Sequence, residues 1–270
     1  MTRFIGLCSA KGGVGKTTST INLASAFKFH GKDVTIVDGN LTAPNIGLHL
    51  GVHSVPIDLH SVLSGKHHIF EALYLHPSGL KIVPIDLSLK GLRHARPEKL
   101  AKALENLDGT TDLVLVDSAP GLGRETVNAI DSVNEILIVT NPNLLAMTDA
   151  LRTVKVVEQF GKKILGIILT GVKNDGLDLS KKNIETMLGY QVLTSIPDDI
   201  AVRKALLRRE PAVTAYPNSE AAVTYKRLAA AMLGRAYDER DYDNYGGSLE
   251  EKYADNKGLF YRVLKKLGWV

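Results

Sequence analysis

Short runs of apolar residues alternate, along the first 235 residues, with longer segments in which apolar side chains recur at helical spacing. The runs predict strands at 4–9, 33–38, 80–85, 112–117, 135–140 and 164–170. The helical spacing predicts helices that include 16–30, 97–107, 147–160, 200–208 and 219–235. Strands as apolar as 113–116, which reads Leu-Val-Leu-Val, are typical of a parallel sheet covered on both faces. The alternation therefore predicts a doubly wound α/β fold with a mainly parallel sheet over residues 1–235.

The pattern changes after residue 235. Residues 236–256 are acidic, contain Gly246-Gly247 and have few large aliphatic side chains, which predicts a flexible linker. The four tyrosines in this segment leave a second interpretation open, a strap that lies on the domain.

Residues 257–270 have an amphipathic pattern. At about 100° per residue, the apolar side chains fall within an arc of roughly 140°. These are Leu259, Phe260, Val263, Leu264, Leu267 and Val270, whereas Arg262, Lys265, Lys266 and Trp269 lie outside the arc. A basic and apolar terminal helix is typical of a membrane-interface anchor, which is the favoured interpretation. The alternative is a last helix that packs its apolar face on the domain.

Composition excludes several classes of protein. The chain has 270 residues, a net charge of +4 and one cysteine, Cys8, so no intramolecular disulfide is possible. Because Cys8 lies in a predicted strand, we interpret it as a small core residue. No apolar run approaches the roughly 18 residues of a membrane span, and the chain starts directly in a predicted strand, without a signal peptide. We therefore expect a cytoplasmic protein.

A glycine-rich loop joins the first predicted strand to the first predicted helix. This strand–loop–helix context is the one that a phosphate-binding loop requires. Its glycines let backbone N–H groups turn toward phosphate oxygens, and the helix N-terminus adds positive partial charge. The loop consists of Lys11, Gly12, Gly13, Val14, Gly15, Lys16, Thr17 and Thr18. We expect Lys16 to reach the β- and γ-phosphates and the Thr17 hydroxyl to contact Mg²⁺.

A loop that begins Lys-Gly-Gly and ends Gly-Lys-Thr-Thr resembles the deviant Walker A motif of the MinD/ParA family of ATPases. The resemblance implies ATP/ADP and Mg²⁺ as cofactors. It also implies an ATP-dependent homodimer, in which Lys11 of each subunit reaches the phosphates bound by the other. The nitrogenase iron protein and the Mrp-type iron–sulfur carriers share this loop, but they need several cysteines, which this chain lacks.

Two further motifs resemble this family. Asp117 ends a predicted strand and begins Asp-Ser-Ala-Pro-Gly, which resembles Walker B and switch II (117–121); a strand-end carboxylate at this place suits Mg²⁺. Asp38 begins a segment that resembles switch I (38–45) of the family. The resemblance implies that Asp38 is a second carboxylate near the metal and the nucleotide. The family usually reads Asp-x-Asp there, and its second aspartate positions the attacking water.

This chain has Asn40 at that second position. Asparagine orients water but carries no charge and takes no proton, so we expect weak basal hydrolysis. Asn40 is either a natural residue, with slow or partner-dependent turnover, or an engineered substitution that traps the ATP-bound state.

The base pocket is predicted from Ser195-Ile196-Pro197-Asp198-Asp199, which resembles the segment that borders adenine in the family. Pro197 and Asp198 are therefore the candidate base contacts. Many relatives read adenine with the asparagine of an Asn-Arg pair at the end of the preceding strand, where this chain has Thr170-Gly171.

The favoured function is a MinD-like spatial switch. ATP would form the dimer, the two terminal helices would attach it to the anionic cytoplasmic face of the cell membrane, and an activating or effector protein would trigger hydrolysis. Its output would be the placement of the division site or of a surface structure such as a flagellum. The alternative is a ParA-like DNA-segregation ATPase that binds DNA through the basic cluster Arg203, Lys204, Arg208 and Arg209, which also fits a solvated helix face. A metabolic P-loop enzyme is least favoured, because no second substrate domain is predicted.

Overall fold

The computed structural model describes residues 1–52, 54–87, 96–173 and 175–237. The chain divides into one compact unit, Met1–Ala229, and a second that begins at Ala230. Except for Ala236 and Tyr237, the predicted linker lies outside the described residues, as does all of the predicted terminal helix. The division into domain, linker and anchor therefore stays a prediction.

Eight strands form one sheet in the described part of the chain. They are β1 Arg3–Cys8, β2 Val34–Gly39, β3 Tyr74–Leu75, β4 Lys81–Val83, β5 Leu113–Ser118, β6 Glu135–Thr140, β7 Lys163–Val172 and β8 Val192–Pro197. Their order across the sheet is β3-β4-β2-β5-β1-β6-β7-β8, and every neighbouring pair is parallel except β3 with β4. The predicted doubly wound, mainly parallel sheet is confirmed.

The helices pack around this sheet. They are α1 Lys16–Phe29, α2 Ile46–Leu50, α3 Leu59–Leu63, α4 Leu100–Glu105, α5 Arg124–Asp131, α6 Leu144–Gln159, α7 Lys181–Leu188, α8 Ile200–Leu207, α9 Ala212–Ala215 and α10 Glu220–Met232. None of the helices in the described ranges combines the length and apolar character that crossing a bilayer requires.

The six predicted strands are present, with ends that shift by at most two residues. Two strands were not predicted, β3 and β8. β3 is two residues long, and β8 lies at the sheet edge, where exposed Leu193 and Ser195 alternate with buried Val192 and Ile196. A strand that is buried on one side lacks the continuous apolar run by which the central strands are recognised. The predicted helix 97–107 begins as a 3₁₀ turn, Pro97–Lys99, and becomes α-helical at Leu100.

Three central strands end at the same edge of the sheet. In register, Leu7 of β1 and Asp38 of β2 both lie opposite Asp117 of β5. A Cβ atom added at Gly39 would lie 2.9 Å from the Asp117 carbonyl oxygen, so only glycine fits where β2 ends against β5. Ligands of open α/β sheets bind outside the carboxyl ends of the strands, so this edge is where the site is expected.

Candidate active site

The loop between β1 and α1 turns sharply as it enters the helix. Gly13 and Gly15 have φ angles of +76° and +85°, a conformation that side chains other than glycine adopt only with strain. Gly15 is the N-cap of α1, and no side chain caps this helix end. The first N–H groups of α1 are therefore oriented toward the mouth of the loop, where an anion can bind.

Lys16 and Thr17 both contact Asp117 across the carboxyl edge of the sheet. Lys16 Nζ lies 2.8 Å from Asp117 Oδ1 and also donates to the Ser118 carbonyl. Thr17 Oγ1 donates to Asp117 Oδ2 at 2.6 Å. Lys16 and Asp117 are both buried, so their ion pair is shielded from water. The structure thus brings together three residues that the sequence predicted for one site.

These residues fit a magnesium–nucleotide complex. A hydroxyl and a carboxylate are the hard oxygen ligands that Mg²⁺ prefers, so Thr17 and Asp117 would hold the ion. Lys16, whose ammonium is already at this edge, would bind phosphate oxygens. When bound, Mg²⁺ neutralises charge on the phosphates.

Asp38 holds the backbone of switch I in this structure. Its Oδ2 accepts from the N–H groups of Asn45 and Ile46 at 3.0 Å each, and its Oδ1 accepts from that of Asn40 at 3.2 Å. Burial, with repulsion from Asp117, raises the pKa of Asp38 to about 7. The carboxyl group therefore anchors the start of α2, and the metal contact expected of Asp38 stays a prediction.

Asn40 closes the loop that contains it. Its Oδ1 accepts from the Ala43 N–H at 3.3 Å, and its Nδ2 donates to the Ala43 carbonyl. Aspartate at this position could accept from that N–H but could not donate to the carbonyl. The amide at position 40 thus stabilises a switch I conformation that a carboxylate would weaken.

Each switch segment is held by a hydrogen bond to a neighbouring element. The backbone N–H of Thr42 in switch I donates to Glu125 Oε2 of α5 at 3.2 Å, and its hydroxyl donates to the same carboxylate. The N–H of Gly121 in switch II donates to the Ser9 carbonyl at the end of β1, at 3.2 Å. Sequence reasoning missed Glu125, because a single glutamate in the first turn of a helix carries no motif.

Lys11, the front lysine of the loop, is half-buried, and Gly12 and Gly13 next to it are exposed. The loop is therefore open on the side of Lys11, where a second molecule can reach it. The role of Lys11 toward a partner's phosphates stays a prediction.

A cleft with a volume of about 180 Å³ extends from the loop toward the ends of β6, β7 and β8. Its walls contain the predicted base contacts Pro197 and Asp198 together with Gly13, Val14, Gly15 and Thr18. The Asp198 N–H donates to the Val172 carbonyl at 2.9 Å, which fixes the backbone of this wall. The predicted base segment and the phosphate loop therefore belong to one cleft.

Thr170 is a second residue that sequence reasoning missed. Its hydroxyl donates to the Val14 carbonyl of the loop and lies 3.2 Å from the Thr140 carbonyl of β6. It ties the phosphate loop to the base end of the cleft. Its place at the end of a buried strand was the available signal.

Cys8 lies behind this site. Burial raises the pKa of its thiol to about 11, although a hydrogen bond with Ser118 opposes the shift. The thiol is therefore protonated at neutral pH and is a poor metal ligand or nucleophile. His49 lines a separate cavity of about 140 Å³ between α1 and α8, and burial lowers its pKa.

The family described as NUBPL iron-transfer P-loop NTPase, of the ParA group, matches residues 1–233. The description concerns iron transfer, whereas this chain has a single cysteine, which is buried.

Curated relatives match nearly the whole chain. An uncharacterized ATP-binding protein of Methanocaldococcus jannaschii is 36% identical over 258 residues, 96% of this chain and 97% of the relative. The septum site-determining protein MinD of Bacillus subtilis is 26% identical, covering 97% of each chain. The antiactivator FleN of Pseudomonas aeruginosa is 28% identical, covering 83% of this chain and 84% of its own length.

Solved structures share the fold. The septum site-determining protein MinD of Pyrococcus horikoshii, in complex with Mg-ADP, has a TM-score of 0.82 and 35% identity, covering 86% of this chain and 96% of that one. The MinD of a MinC:MinD cell division complex of Aquifex aeolicus has a TM-score of 0.78 and 28% identity, covering 88% and 98%.

Proposed function

This chain belongs to the MinD/ParA family of P-loop ATPases, and from that premise we propose that it is a MinD-like spatial switch. It is an ATPase whose cofactors are ATP, ADP and Mg²⁺. In the proposal, Mg-ATP drives two copies together, the pair attaches to the cytoplasmic face of the cell membrane, and hydrolysis releases it. Turnover is slow without a partner protein, because Asn40 replaces a carboxylate.

One observation carries the proposal. The phosphate loop, Asp117 and both switch segments lie at one edge of the sheet. Lys16 bonds to Asp117 and to Ser118 of switch II, and Thr42 of switch I bonds to Glu125 of α5. A nucleotide that takes Lys16 from Asp117 must also disturb the contact of Lys16 with the Ser118 carbonyl of switch II. This linkage supports a conformational switch more than a site built only for turnover.

Two-subunit action is supported by the shape of the loop. Half-buried Lys11 and exposed Gly12 and Gly13 leave the phosphate site uncovered on one side. A second copy would close that side and place its own Lys11 there, which adds positive charge where the phosphates carry most negative charge.

Membrane attachment is supported by the sequence of 257–270 and by magnitudes. Burying one Leu or Phe side chain contributes about 1.5–3 kcal/mol, and each basic residue near anionic lipid adds about 1 kcal/mol. Ordering the segment costs about 1 kcal/mol or more per residue. One such helix therefore binds marginally, whereas two in a dimer gain from effective concentration. Dimerisation would thus control location.

The relatives support a role in spatial control. One is named for septum site determination and another as an antiactivator. We propose that this chain places either the division site or a surface structure, with an activating or effector protein as its partner.

Co-sedimentation tests the proposal. Full-length protein and a form that ends at Arg235 are mixed with anionic liposomes, with and without Mg-ATP. We expect ATP-dependent lipid binding by the full chain and its loss on truncation. Neutral liposomes are the control for the basic residues. Absence of lipid binding by the full chain with ATP would remove the membrane role.

A ParA-like DNA-binding function is the second candidate. All four basic residues of the cluster, Arg203, Lys204, Arg208 and Arg209, are exposed at α8 and just after it. Arg208 also lies over the Tyr216 ring, and its guanidinium is 3.9 Å from the Glu210 carboxylate. These contacts partly neutralise the charge that Arg208 could offer to DNA. DNA in the same sedimentation experiment distinguishes the candidates, because DNA binding that survives truncation at Arg235 would favour this one.

A further inference from the structure

The base end of the cleft contains an amide that no motif identifies. Asn141 follows β6 and lines the cleft together with Gly171 and Asp198. Its Nδ2 donates to the Thr170 carbonyl at 2.9 Å and lies 3.1 Å from Thr170 Oγ1. Because a carbonyl oxygen only accepts, this contact fixes which end of the amide faces Thr170.

The orientation leaves the acceptor end of the amide for a ligand. Thr170 takes the donor, so Oδ1 is on the opposite side of the Asn141 side chain, and no bond to it is formed within the described ranges. Turning the amide over would place Oδ1 against the Thr170 carbonyl, two acceptors, and lose that hydrogen bond. Asn141 therefore presents a fixed acceptor.

Gly171 leaves this part of the wall open. Its φ is +63°, and a Cβ atom added there would lie 3.5 Å from Asn141 Nδ2. Because position 171 is glycine, no side chain from this strand end covers the Asn141 amide. Two other polar side chains of the cleft are already engaged: Asp199 accepts from the N–H groups of Ala201 and Ala221, and Tyr225 contacts Ser19.

We propose that Asn141 is the residue that selects adenine, by accepting a hydrogen bond at Oδ1 from the 6-amino group of the base. The inference rests on ATP binding in the cleft and deepens it. A 6-oxo purine, such as guanine or hypoxanthine, would place an acceptor against this acceptor. The contacts with Thr170 prevent the amide from turning to accommodate it, so discrimination follows from a locked orientation.

The test compares nucleotides that differ only at position 6 of the purine. Full-length protein with Mg²⁺ is titrated with ADP, with the diphosphate of purine riboside, which has hydrogen at that position, and with IDP. We expect ADP to bind about 3–10-fold more tightly than the purine riboside diphosphate, the usual range for one hydrogen bond, and IDP to bind more weakly still. Diphosphates avoid turnover during the titration.

Asn141→Ala should bring the ratio of the ADP and purine riboside diphosphate affinities close to one. Asn143→Ala is the matched control: it removes an amide two residues away that caps α6 by accepting from the Ala146 N–H, and its ratio should equal that of the unmodified chain. The ratio is measured on one preparation, so it does not depend on the fraction of folded protein.

An unchanged ratio in Asn141→Ala, or equal affinities for the two diphosphates in the unmodified chain, would overturn the inference. Equal losses for both nucleotides would also overturn it, because they indicate that Asn141 acts only by supporting Thr170. No binding of any of the three nucleotides would contradict the ATP site itself, which is a separate failure.

Discussion

The two ends of the nucleotide cleft are built in different ways. At the phosphate end, a loop of consecutive residues contacts Asp117 through a buried ion pair and a short hydroxyl bond. At the base end, single residues from three strand ends meet, and neutral hydrogen bonds such as that of Asn141 with Thr170 hold them. Binding strength at the phosphates therefore depends on charge, whereas selectivity for the base depends on the orientation of neutral groups.

The largest effect is expected from Lys16→Met. It leaves the Asp117 carboxylate buried without its partner, which typically destabilises a protein by about 3–5 kcal/mol, and it removes the phosphate-binding charge. Urea unfolding and ADP titration measure the two losses. The double variant Lys16→Met/Asp117→Asn should recover most of the free energy of unfolding without recovering ADP binding. A single variant as stable as the unmodified chain would contradict the buried ion pair.

Asp38 should make stability depend on pH. Its pKa is about 7 in the folded protein, above the ordinary value of 3.8 that applies when unfolded. The folded state therefore binds more protons between these values, and its stabilisation, complete below about pH 4, is lost as pH rises toward 7, by at most about 1.4 kcal/mol per pH unit.

Urea unfolding from pH 4 to 8 tests this by the difference between the unmodified chain and Asp38→Asn, which cancels the contributions of other groups. The free energy of unfolding of the unmodified chain minus that of Asp38→Asn should become smaller as pH rises. A difference that is constant with pH would mean that Asp38 is ionised throughout.

Asn40→Asp should raise basal ATP turnover about ten-fold or more, because a carboxylate can take a proton from water, a contribution that reaches about 10²–10⁴-fold in enzymes. The same change removes the donor to the Ala43 carbonyl and should lower the free energy of unfolding by about 1 kcal/mol. Asn45→Asp is the control, because Asn45 Nδ2 donates to the same carbonyl at 2.9 Å from outside the catalytic position. Equal phosphate release by the unmodified chain and Asn40→Asp would refute the assignment of slow turnover to Asn40.

The smallest effect is expected at the base end, from Thr170→Val. Valine keeps the shape but loses the hydroxyl bond to Val14, which should cost about 1–2 kcal/mol of stability and weaken ADP binding only a few-fold. Thr153→Val is the matched control, since Thr153 is also buried and its hydroxyl bonds only within α6. If Thr170→Val lost as much ADP affinity as Lys16→Met, the phosphate end and the base end of the cleft would not differ in what controls binding strength.

The same contrast explains how far the sequence predicts this protein. The central strands are buried along most of their length, so their apolar runs predicted the sheet, and the phosphate loop is contiguous, so its residues were readable in order. Asn141 and Thr170 come from different strands and meet only after the sheet forms. β8 was missed because an edge strand is half-exposed. The contacts by which Asp38 anchors α2 form only when the loop after β2 folds back on the strand end, so no sequence motif marks them.

We expect ATP to join two copies of this chain across the open side of the phosphate loop. Light scattering on the full-length protein, whose chain mass is 29.3 kDa, measures this directly with Mg-ATP and with Mg-ADP. We predict a mass of two chains with Mg-ATP, a single chain with Mg-ADP, and a single chain in both for Lys11→Ala. A mass that does not change with the nucleotide would contradict the account.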